Sequence, residues 1–310
     1  MFDISSIIPM ENLTFWFGRF GLTNEWAVFK TSDILTPDVK PVYIASYDED
    51  IHKVNYVSGM PNDDDMTDDQ ITQAFELFKN SRPEYEIGRP IDGKLLADNA
   101  DDSAIQDRSY LFEKILTGAI IMQSSNESPS YPDLGIKRAE RCIQWLRNTD
   151  FYNAPASTRF HESEPGGLLK HTLKVLNQVY QLFTLPAFNN NVKLYEAVIV
   201  ALAHDWCKIG VYESYMKNVK DETTGVWNKV PAYKRKDADI PFGHGIASMY
   251  IAQKFFHLNM QQALAIRWHM GRWYVADSDI NDLQYSNEKY PLVHLIQFAD
   301  QLAITEYAIY

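Results

Sequence analysis

Residues 197–210, with the sequence AVIVALAHDWCKIG, decide how this chain is interpreted. The first seven are all apolar, which is typical of a helix that is buried on every side. His204 and Asp205 follow at once, and Lys208 lies one helical turn beyond His204. Buried groups of this kind need polar partners, because an unpaired charge in a dry core is costly. The stretch therefore predicts a helix that delivers polar chemistry into the protein interior.

Composition and charge limit the classes of protein to consider. The chain has 310 residues, of which 45% are hydrophobic and 23% charged, as in a soluble globular protein of one or two domains. The net charge of −12 argues against a broad nucleic-acid surface, but a small anionic substrate, or nucleic acid held in one groove, is compatible with it. No apolar run approaches the roughly 20 residues of a membrane span, and we find no signal peptide. Cys142 and Cys207 form no disulfide framework, which suits a reducing cytoplasm.

The N-terminal region has the composition of strands. Aromatic and β-branched runs alternate with Gly, Asn, Asp and Pro up to about residue 60. Thr67 and Gln70 form a candidate capping box for a helix over 68–80. Residues 81–103 are polar and contain Pro and Gly, so they are a candidate linker.

Helical periodicity begins near residue 104. The pattern predicts helices over 105–122, 133–148, 166–184, 192–206, 244–257, 260–270 and 290–308. Residues 211–242 interrupt it with a segment rich in Lys and aromatic residues, which we interpret as a hairpin. We expect a mainly α fold, with a helical domain over 104–310 and a smaller strand-rich (α+β) region of unknown role over 1–103.

Histidines and aspartates lie at the ends or on the apolar faces of these helices. They are His171, His204, Asp205, His244, His269 and Asp300. A lone buried histidine is typically a hydrogen-bonded core residue, and a lone aspartate typically caps a helix or pairs with an arginine. Together, however, neutral imidazole and carboxylate groups are what a borderline divalent metal binds. The set is too large for one tetrahedral site and suits two metals that share a bridging ligand.

The same residues carry a resemblance to a known family. The motifs are GGLLKH, HDWCKIG, GHG, RWHMG and FADQLA, at residues 166–171, 204–210, 243–245, 267–271 and 298–303. In this order they resemble the HD superfamily of metal-dependent phosphohydrolases, over roughly residues 150–308. The segment upstream of His171 is similar to a bacterial and phage branch of HD hydrolases and, more loosely, to HD-domain 3′-to-5′ exoribonucleases. HDWCKIG is also similar to a segment of cyclic-dinucleotide phosphodiesterases.

The resemblance implies an HD-domain helical bundle with a binuclear metal site. In that reading, one metal is held by His171, His204, Asp205 and Asp300. Asp205 bridges to a second metal, which His244 and His269 complete. A water activated between the two metals would attack the phosphorus of a nucleotide phosphate ester.

The resemblance also implies catalytic and substrate-binding residues. Asp205 and Lys208 are the expected catalytic residues, with Lys208 stabilising charge on the phosphoryl oxygens. From their position before the first ligand helix, Arg159 and His161 are candidates, together with Lys208, to bind the substrate phosphate, and a structural role for them stays open. A further basic cluster fits a solvated loop better than a phosphate-holding lid, although both interpretations stay open: Lys229, Lys234, Arg235 and Lys236.

The metal and the substrate stay open at the level of sequence. Two ions of Mn, Fe, Co, Ni, Zn or Mg would suit such ligands. The expected partner is a small phosphorylated substrate, a nucleotide, with nucleic acid less favoured because the chain is acidic. The alternatives are a 3′-to-5′ exonuclease on single-stranded nucleic acid, a di-iron oxygenase with the same ligands, and a nucleotide-binding sensor. We expect no membrane partner and a cytoplasmic location in a bacterial or phage-infected cell, with homo-oligomer formation left open.

Overall fold

The structure is a computed structural model in which most of the helical region is described. The described residues are the strands at 3–10, 13–19, 25–30, 43–48 and 53–58, together with 87–89, 91–97, 102–127, 133–159, 161–236, 242–273 and 275–305. The chain divides into two compact units, Met1–Tyr85 and Glu86–Tyr310. The helix expected over 68–80 lies outside the described residues, and the domain boundary expected after residue 103 stays a prediction.

The first unit contains a five-stranded antiparallel sheet whose strands follow one another in chain order. These strands are β1 (Asp3–Met10), β2 (Leu13–Arg19), β3 (Glu25–Lys30), β4 (Tyr43–Asp48) and β5 (Lys53–Ser58). The register of β1 on β2 shifts between Ile4 and Ser6, and that of β4 on β5 shifts between Ile44 and Ala45. The strands coincide with the aromatic and β-branched runs of the sequence, whose side chains favour a pleated surface.

The second unit is helical, and the expected mainly α fold is confirmed for the described residues. Its helices are α1 (Gly93–Leu96), α2 (Asp102–Glu127), α3 (Asp133–Arg147), α4 (Gly167–Leu182), α5 (Pro186–Asn189), α6 (Leu194–Ala203), α7 (His244–Ala252), α8 (Met260–Trp268), α9 (Ile280–Lys289) and α10 (Pro291–Ala303). Short 3-10 turns occupy Trp206–Lys208 and Asp277–Asp279. Among the described residues, no helix has the length and apolar character that crossing a membrane demands.

Helix α6 lies in the centre of this unit. It contacts α2, α4, α8 and α10, and every residue over 197–203 is fully buried. Burial of each Val, Ile or Leu in this run stabilises the fold by about 1.5–3 kcal/mol. Helix α4 is similarly enclosed, with all residues over 167–180 buried. The two most buried helices therefore carry His171 and lead directly into His204, which fixes both side chains in the interior.

Helix α6 ends earlier than the sequence predicts. Its last residue is Ala203, and the expected helix to residue 206 is replaced by the 3-10 turn Trp206–Lys208. The amide of Lys208 donates to the carbonyl oxygen of Asp205 at 3.0 Å, a hydrogen bond that spans three residues instead of four. Lys208 is therefore one tight turn beyond Asp205, and the prediction that it lies one α-helical turn beyond His204 was wrong.

Two other helices also end earlier than predicted, whereas α2 is longer at both ends than the predicted 105–122. Helix α7 ends at Ala252 and α10 ends at Ala303, five residues short of each predicted end. Apolar residues continue past the end of both helices, so a prediction from periodicity alone makes these helices too long. Helices α1, α5 and α9 were not predicted. Helix α1, which lies in the expected linker, and α5 are only four residues long, and α9 is polar on most of its surface.

The interruption of the helical pattern is a β-hairpin, as expected. Strands β6 (Tyr212–Lys220) and β7 (Trp227–Arg235) pair in antiparallel order from Tyr212 opposite Arg235 to Lys220 opposite Trp227. Asp221 holds the turn, since its Oδ1 atom accepts hydrogen bonds from the backbone amides of the next two threonines. Most residues of both strands are exposed, so the hairpin projects from the helical body.

Candidate metal centre

The six predicted ligands meet in one place, although they come from separate segments of the chain. His171 lies on α4, and His204 and Asp205 follow the end of α6. His244 begins α7, His269 follows the end of α8, and Asp300 lies on α10. The helices that carry them pack against one another, which fixes the relative positions of the side chains. Their role as ligands stays a prediction, but their convergence is a property of the fold.

Four of these residues form a first group. The Nε2 atom of His171 lies 3.4 Å from Nε2 of His204 and 3.5 Å from Oδ2 of Asp205. It also lies 3.2 Å from Oδ1 of Asp300. His204 completes the group, with its Nε2 atom 3.5 Å from Oδ2 of Asp205 and 3.9 Å from Oδ1 of Asp300. Two imidazole nitrogens and two carboxylate oxygens therefore face one small volume.

A second group forms around the other oxygen of Asp205. Its Oδ1 atom lies 2.7 Å from Nε2 of His244 and 3.5 Å from Nε2 of His269. The imidazole rings of His204 and His269 are 5.1 Å apart between centroids, so the two groups are adjacent. Asp205 consequently stands between them, with one oxygen directed at each.

Two of the histidines are oriented by the helix that precedes them. His204 and His269 are the C-terminal caps of α6 and α8, and the Nδ1 atom of each lies 2.7 Å from a carbonyl oxygen three residues earlier. A carbonyl oxygen can only accept, so Nδ1 carries the proton and Nε2 keeps its lone pair. The buried Nε2 atom of His269 has no hydrogen-bond partner among the described residues. This tautomer is the one that offers Nε2 to a cation.

The pKa values of the buried histidines are shifted in different directions. It lowers the pKa of His204 to about 4, and it also lowers the pKa of His244 below its ordinary value. Burial has the same tendency at His269, but the close contact of its Nε2 atom with the negative charge of Asp205, at 3.5 Å, outweighs it and raises the pKa. His204 and His244 are therefore neutral near pH 7, as metal ligation requires.

The carboxylates stay charged in spite of their burial. Burial tends to raise the pKa of Asp205, yet the ammonium group of Lys208 and the neighbouring His204 hold it well below the usual value. Burial likewise tends to raise the pKa of Asp300, and the hydrogen bond and charge of His171 lower it overall. The site therefore concentrates negative charge in a volume from which most water is excluded, which favours a bound cation.

Lys208 is the nearest cation to this pair of groups. Its Nζ atom lies 2.6 Å from Oδ2 of Asp205, and the side chain is mostly buried. Burial tends to lower the pKa of Lys208, but the charge of Asp205 raises it, so the ammonium form persists. The lysine predicted to be catalytic thus contacts the carboxylate that stands between the two groups.

A cavity of about 750 Å³ opens above the side chains of both groups. Its volume is in the range of small-molecule pockets. Lys208 and Arg235 place positive charge on its wall, and apolar side chains form much of the remainder: Tyr212, Phe242, Met270, Trp273 and Ile304. An anionic group and a flat or apolar group can therefore be held together in this cavity.

The predicted phosphate ligands separate in the structure. His161 lines the cavity, and its ring lies 5.0 Å from the ring of His171. Burial lowers the pKa of His161 to about 4, so its imidazole is neutral near pH 7. Arg159 is exposed and is not part of the cavity wall. Of the basic cluster in the hairpin, Arg235 lines the cavity, whereas Lys234 pairs with Glu213 at 2.5 Å.

Glu162 is a residue that the sequence did not reveal. It is buried, and its Oε1 atom accepts a hydrogen bond from Nζ of Lys174 at 2.8 Å. Its Oε2 atom lies 3.9 Å from Nδ1 of His171, and neither atom has a hydrogen-bond partner among the described residues. A carboxylate behind a metal-binding histidine orients the ring and raises its basicity. The sequence does not indicate that Glu162 is buried behind His171, because a glutamate in a polar loop is ordinarily exposed.

Two glycines beside the ligands allow the close packing of the segments. A Cβ atom at Gly167 would overlap the carbonyl oxygen of Glu162, and one at Gly245 would overlap the carbonyl oxygen of Arg267. Gly245 follows His244, and Arg267 lies two residues before His269. The absence of a side chain at Gly245 therefore lets α7 approach α8 closely enough for both imidazoles to reach Asp205.

Aromatic packing surrounds the base of the site. Trp206 is fully buried, and its ring lies 5.4 Å from that of Phe256 and 5.6 Å from that of Trp145. Trp206 therefore packs against other aromatic side chains at the base of the site. Burial raises the pKa of Cys207 to about 12, so this thiol stays protonated and unreactive near pH 7.

The residues present fit a bound metal ion. Three groups have nitrogen and oxygen atoms close enough to share one: His161, Glu162 and His171; His171, His204 and Asp205; and Asp205, His244 and His269. The unpartnered Nε2 atom of His269 and the imidazole-carboxylate composition support the same conclusion. Comparisons of the chain with protein-family models, with curated proteins and with solved structures found no match.

Proposed function

We propose that this protein is a divalent-metal-dependent phosphohydrolase that cleaves a phosphate ester of a nucleotide. The observation that carries the proposal is the position of Asp205. Its two oxygens face two separate groups of imidazoles, and Lys208 contacts one of them. The motifs that resemble the HD superfamily supply these same residues, so sequence and geometry support one interpretation.

Two cations would be held side by side in this arrangement. One cation would be bound by His171, His204, Asp300 and the Oδ2 atom of Asp205. The other would be bound by His244, His269 and the Oδ1 atom of Asp205. A pair of divalent ions at such a site lowers the pKa of a bound water and polarises a phosphoryl oxygen. The lone pairs on Nε2 of His204 and His269 are kept available by the hydrogen bonds of their Nδ1 atoms.

The cations of the protein would bind and orient the phosphate. Lys208 has an ammonium group at the edge of the metal groups, where it can stabilise negative charge that builds on the phosphoryl oxygens. Arg235 lines the same cavity and offers the planar fork that binds phosphate oxygens in a bidentate manner. His161, neutral near pH 7, can donate a hydrogen bond to the substrate without adding charge.

The apolar part of the cavity would hold the rest of the substrate. Phe242, Trp273 and Ile304 line the same cavity as the two carboxylates. A nucleobase matches such a wall, because aromatic faces stack on bases with little dependence on sequence. Burial of the metal groups keeps bulk water away from the reacting phosphate and strengthens the electrostatic contacts there.

The proposal is tested by measuring hydrolysis after loading the protein with Mn²⁺, Fe²⁺, Co²⁺, Ni²⁺, Zn²⁺ or Mg²⁺ in separate samples. The readouts are phosphate release from nucleoside monophosphates, ring opening of cyclic nucleotides and shortening of single-stranded oligonucleotides. We expect hydrolysis with at least one metal and its loss in Asp205→Asn. Metal-loaded protein that leaves every phosphate ester intact would contradict the proposal, and oxygen uptake by an iron-loaded sample would favour a di-iron oxygenase instead.

A further inference from the structure

The hairpin has two faces of different chemistry. Residues directly opposite each other in an antiparallel pair share a face, and successive residues alternate between faces. Tyr212 and Arg235 are paired at the base and both line the cavity. The face to which they belong therefore continues the cavity wall, and we name it the cavity face. Its members are Tyr212, Ser214, Met216, Asn218 and Lys220 on β6, and Trp227, Lys229, Pro231, Tyr233 and Arg235 on β7.

Positive charge is concentrated on the cavity face. Lys220, Lys229 and Arg235 belong to it, and no strand residue on it carries a carboxylate. Residues 212–236 contain six basic and three acidic side chains, in a chain whose net charge is −12. Glu213 lies on the opposite face and pairs with Lys234. The hairpin therefore carries local charge opposite to that of the whole protein, which favours an anionic partner.

Aromatic side chains alternate with these cations. Tyr212 and Tyr233 lie near the cavity end, and Trp227 lies at the far end with 67% of its surface exposed. The nine residues of each strand span roughly 30 Å at about 3.3 Å per residue, long enough for several nucleotides. Cations that follow a backbone, interleaved with aromatic rings on which bases stack, are the features that bind single strands.

The hairpin contributes little to the hydrophobic core. Both strands are exposed over most of their length, and a two-stranded hairpin alone is marginally stable in water. Trp227 and Met216 are large apolar side chains that are exposed on the cavity face, which also carries two lysines. Packing of the fold does not account for their exposed position. Met216 and Trp227 share the cavity face with Tyr212 and Arg235, so an occupant that covers this face can extend from them to the cavity.

We propose that the cavity face of the hairpin binds a single-stranded nucleic acid and directs its end towards the metal centre. The second part rests on the proposed phosphohydrolase function, whereas the binding does not. Phosphates contact Lys220, Lys229 and Arg235, and bases stack on Trp227 and Tyr233. The acidity of the rest of the surface confines the strand to this face, because it repels phosphate elsewhere.

The test is fluorescence anisotropy of labelled single-stranded DNA and single-stranded RNA with the full chain, in the presence of a chelator so that no hydrolysis occurs. The cavity-face variant combines Lys220→Ala, Trp227→Ala and Lys229→Ala. The matched control on the opposite face combines Tyr215→Ala, Lys217→Ala and Lys234→Ala, which removes the same charge and one aromatic ring.

We expect the cavity-face variant to bind at least about 10-fold more weakly than the unmodified protein, because a stacking ring and two phosphate contacts are lost. The slope of log affinity against log salt concentration should decrease by about 1.4 for the two lysines. The control should bind with nearly unchanged affinity. The DNA and RNA arms show which sugar is preferred.

Three results would overturn the proposal. One is the absence of binding to either single strand, and another is equal weakening in both triple variants. The third is equally effective competition by polyglutamate, which would assign the face to acidic polypeptides. Phosphate release from mononucleotides, measured on the unmodified protein with metal, tests the phosphohydrolase function separately. Binding of single strands without any phosphate release would reject the phosphohydrolase function. Phosphate release without binding of single strands would reject the proposed role of the cavity face.

Discussion

His204 and His269 end their helices in the same way. Each is a C-terminal cap with φ −57° and ψ −33°, and each places Nδ1 2.7 Å from the carbonyl oxygen three residues earlier. The repeated geometry uses the last turn of a helix to hold an imidazole with Nε2 available. The two histidines belong to different groups around Asp205, so the same helix-end geometry orients one imidazole in each group.

The close approach of α7 and α8 gives a first prediction. Gly245→Ala should destabilise the protein by about 1–3 kcal/mol and reduce its metal content, since the new methyl group would force Arg267 away and separate His244 from His269. Thermal unfolding and metal analysis measure the two effects. Gly243→Ala is the matched control, because a Cβ atom there meets nothing within 4 Å. Equal behaviour of the two variants would argue against this role of Gly245.

The carboxylate behind His171 gives a second prediction. Glu162→Gln should weaken metal binding about 10–100-fold, because the amide cannot supply the negative charge that supports the imidazole. Calorimetric titration of the metal-free protein measures the affinity. Glu222→Gln, at an exposed position in the hairpin turn, should leave the affinity unchanged. An unaltered affinity in Glu162→Gln would show that this carboxylate serves only to pair with Lys174.

Sequence patterns predicted the helices that carry the site and the identity of its six polar residues. The prediction succeeded where periodicity and side-chain chemistry act locally, as in the apolar run before His204. The prediction failed where the conformation depends on tertiary contacts. The shortened end of α6, and the buried loop carboxylate of Glu162 with its φ of 44°, depend on packing between distant segments.

The position of Arg159 illustrates the same limit. It lies close in sequence to His161, yet only His161 lines the cavity. Neighbouring residues in a loop point in different directions, and the sequence does not specify which one turns inwards. Conversely, Arg235 lies at the end of β7, and the pairing of β6 with β7 places it opposite Tyr212 on the cavity wall.

Lys208 gives a third prediction, which separates catalysis from metal binding. Lys208→Met should lower kcat about 100–1,000-fold, because a cation that stabilises the phosphoryl charge is lost. The metal content should stay at its original level, since Asp205 keeps both oxygens and loses a competing cation. Steady-state kinetics and metal analysis on the same sample provide the comparison. Full activity in this variant would remove Lys208 from the catalytic residues.

The buried His204 gives a fourth prediction, for metal-free protein. Its pKa is lowered from 6.5 to about 4 by burial, so below pH 6.5 the unfolded chain takes up a proton that the folded chain refuses. The stability therefore falls as the pH falls from 6.5 towards 4, by up to about 3 kcal/mol from this group. Urea unfolding over this range should show a smaller loss in His204→Gln. An identical pH dependence in both proteins would contradict the assignment.

The most direct test of the central claim is the metal content per chain after reconstitution of metal-free protein. We expect about two divalent ions in the unmodified protein, about one in His269→Ala, and loss of both in Asp205→Asn, because that carboxylate alone faces both groups. His257→Ala, at an exposed histidine outside the site, should retain two. Fewer than one ion per chain, or an unchanged content in Asp205→Asn, would contradict the account.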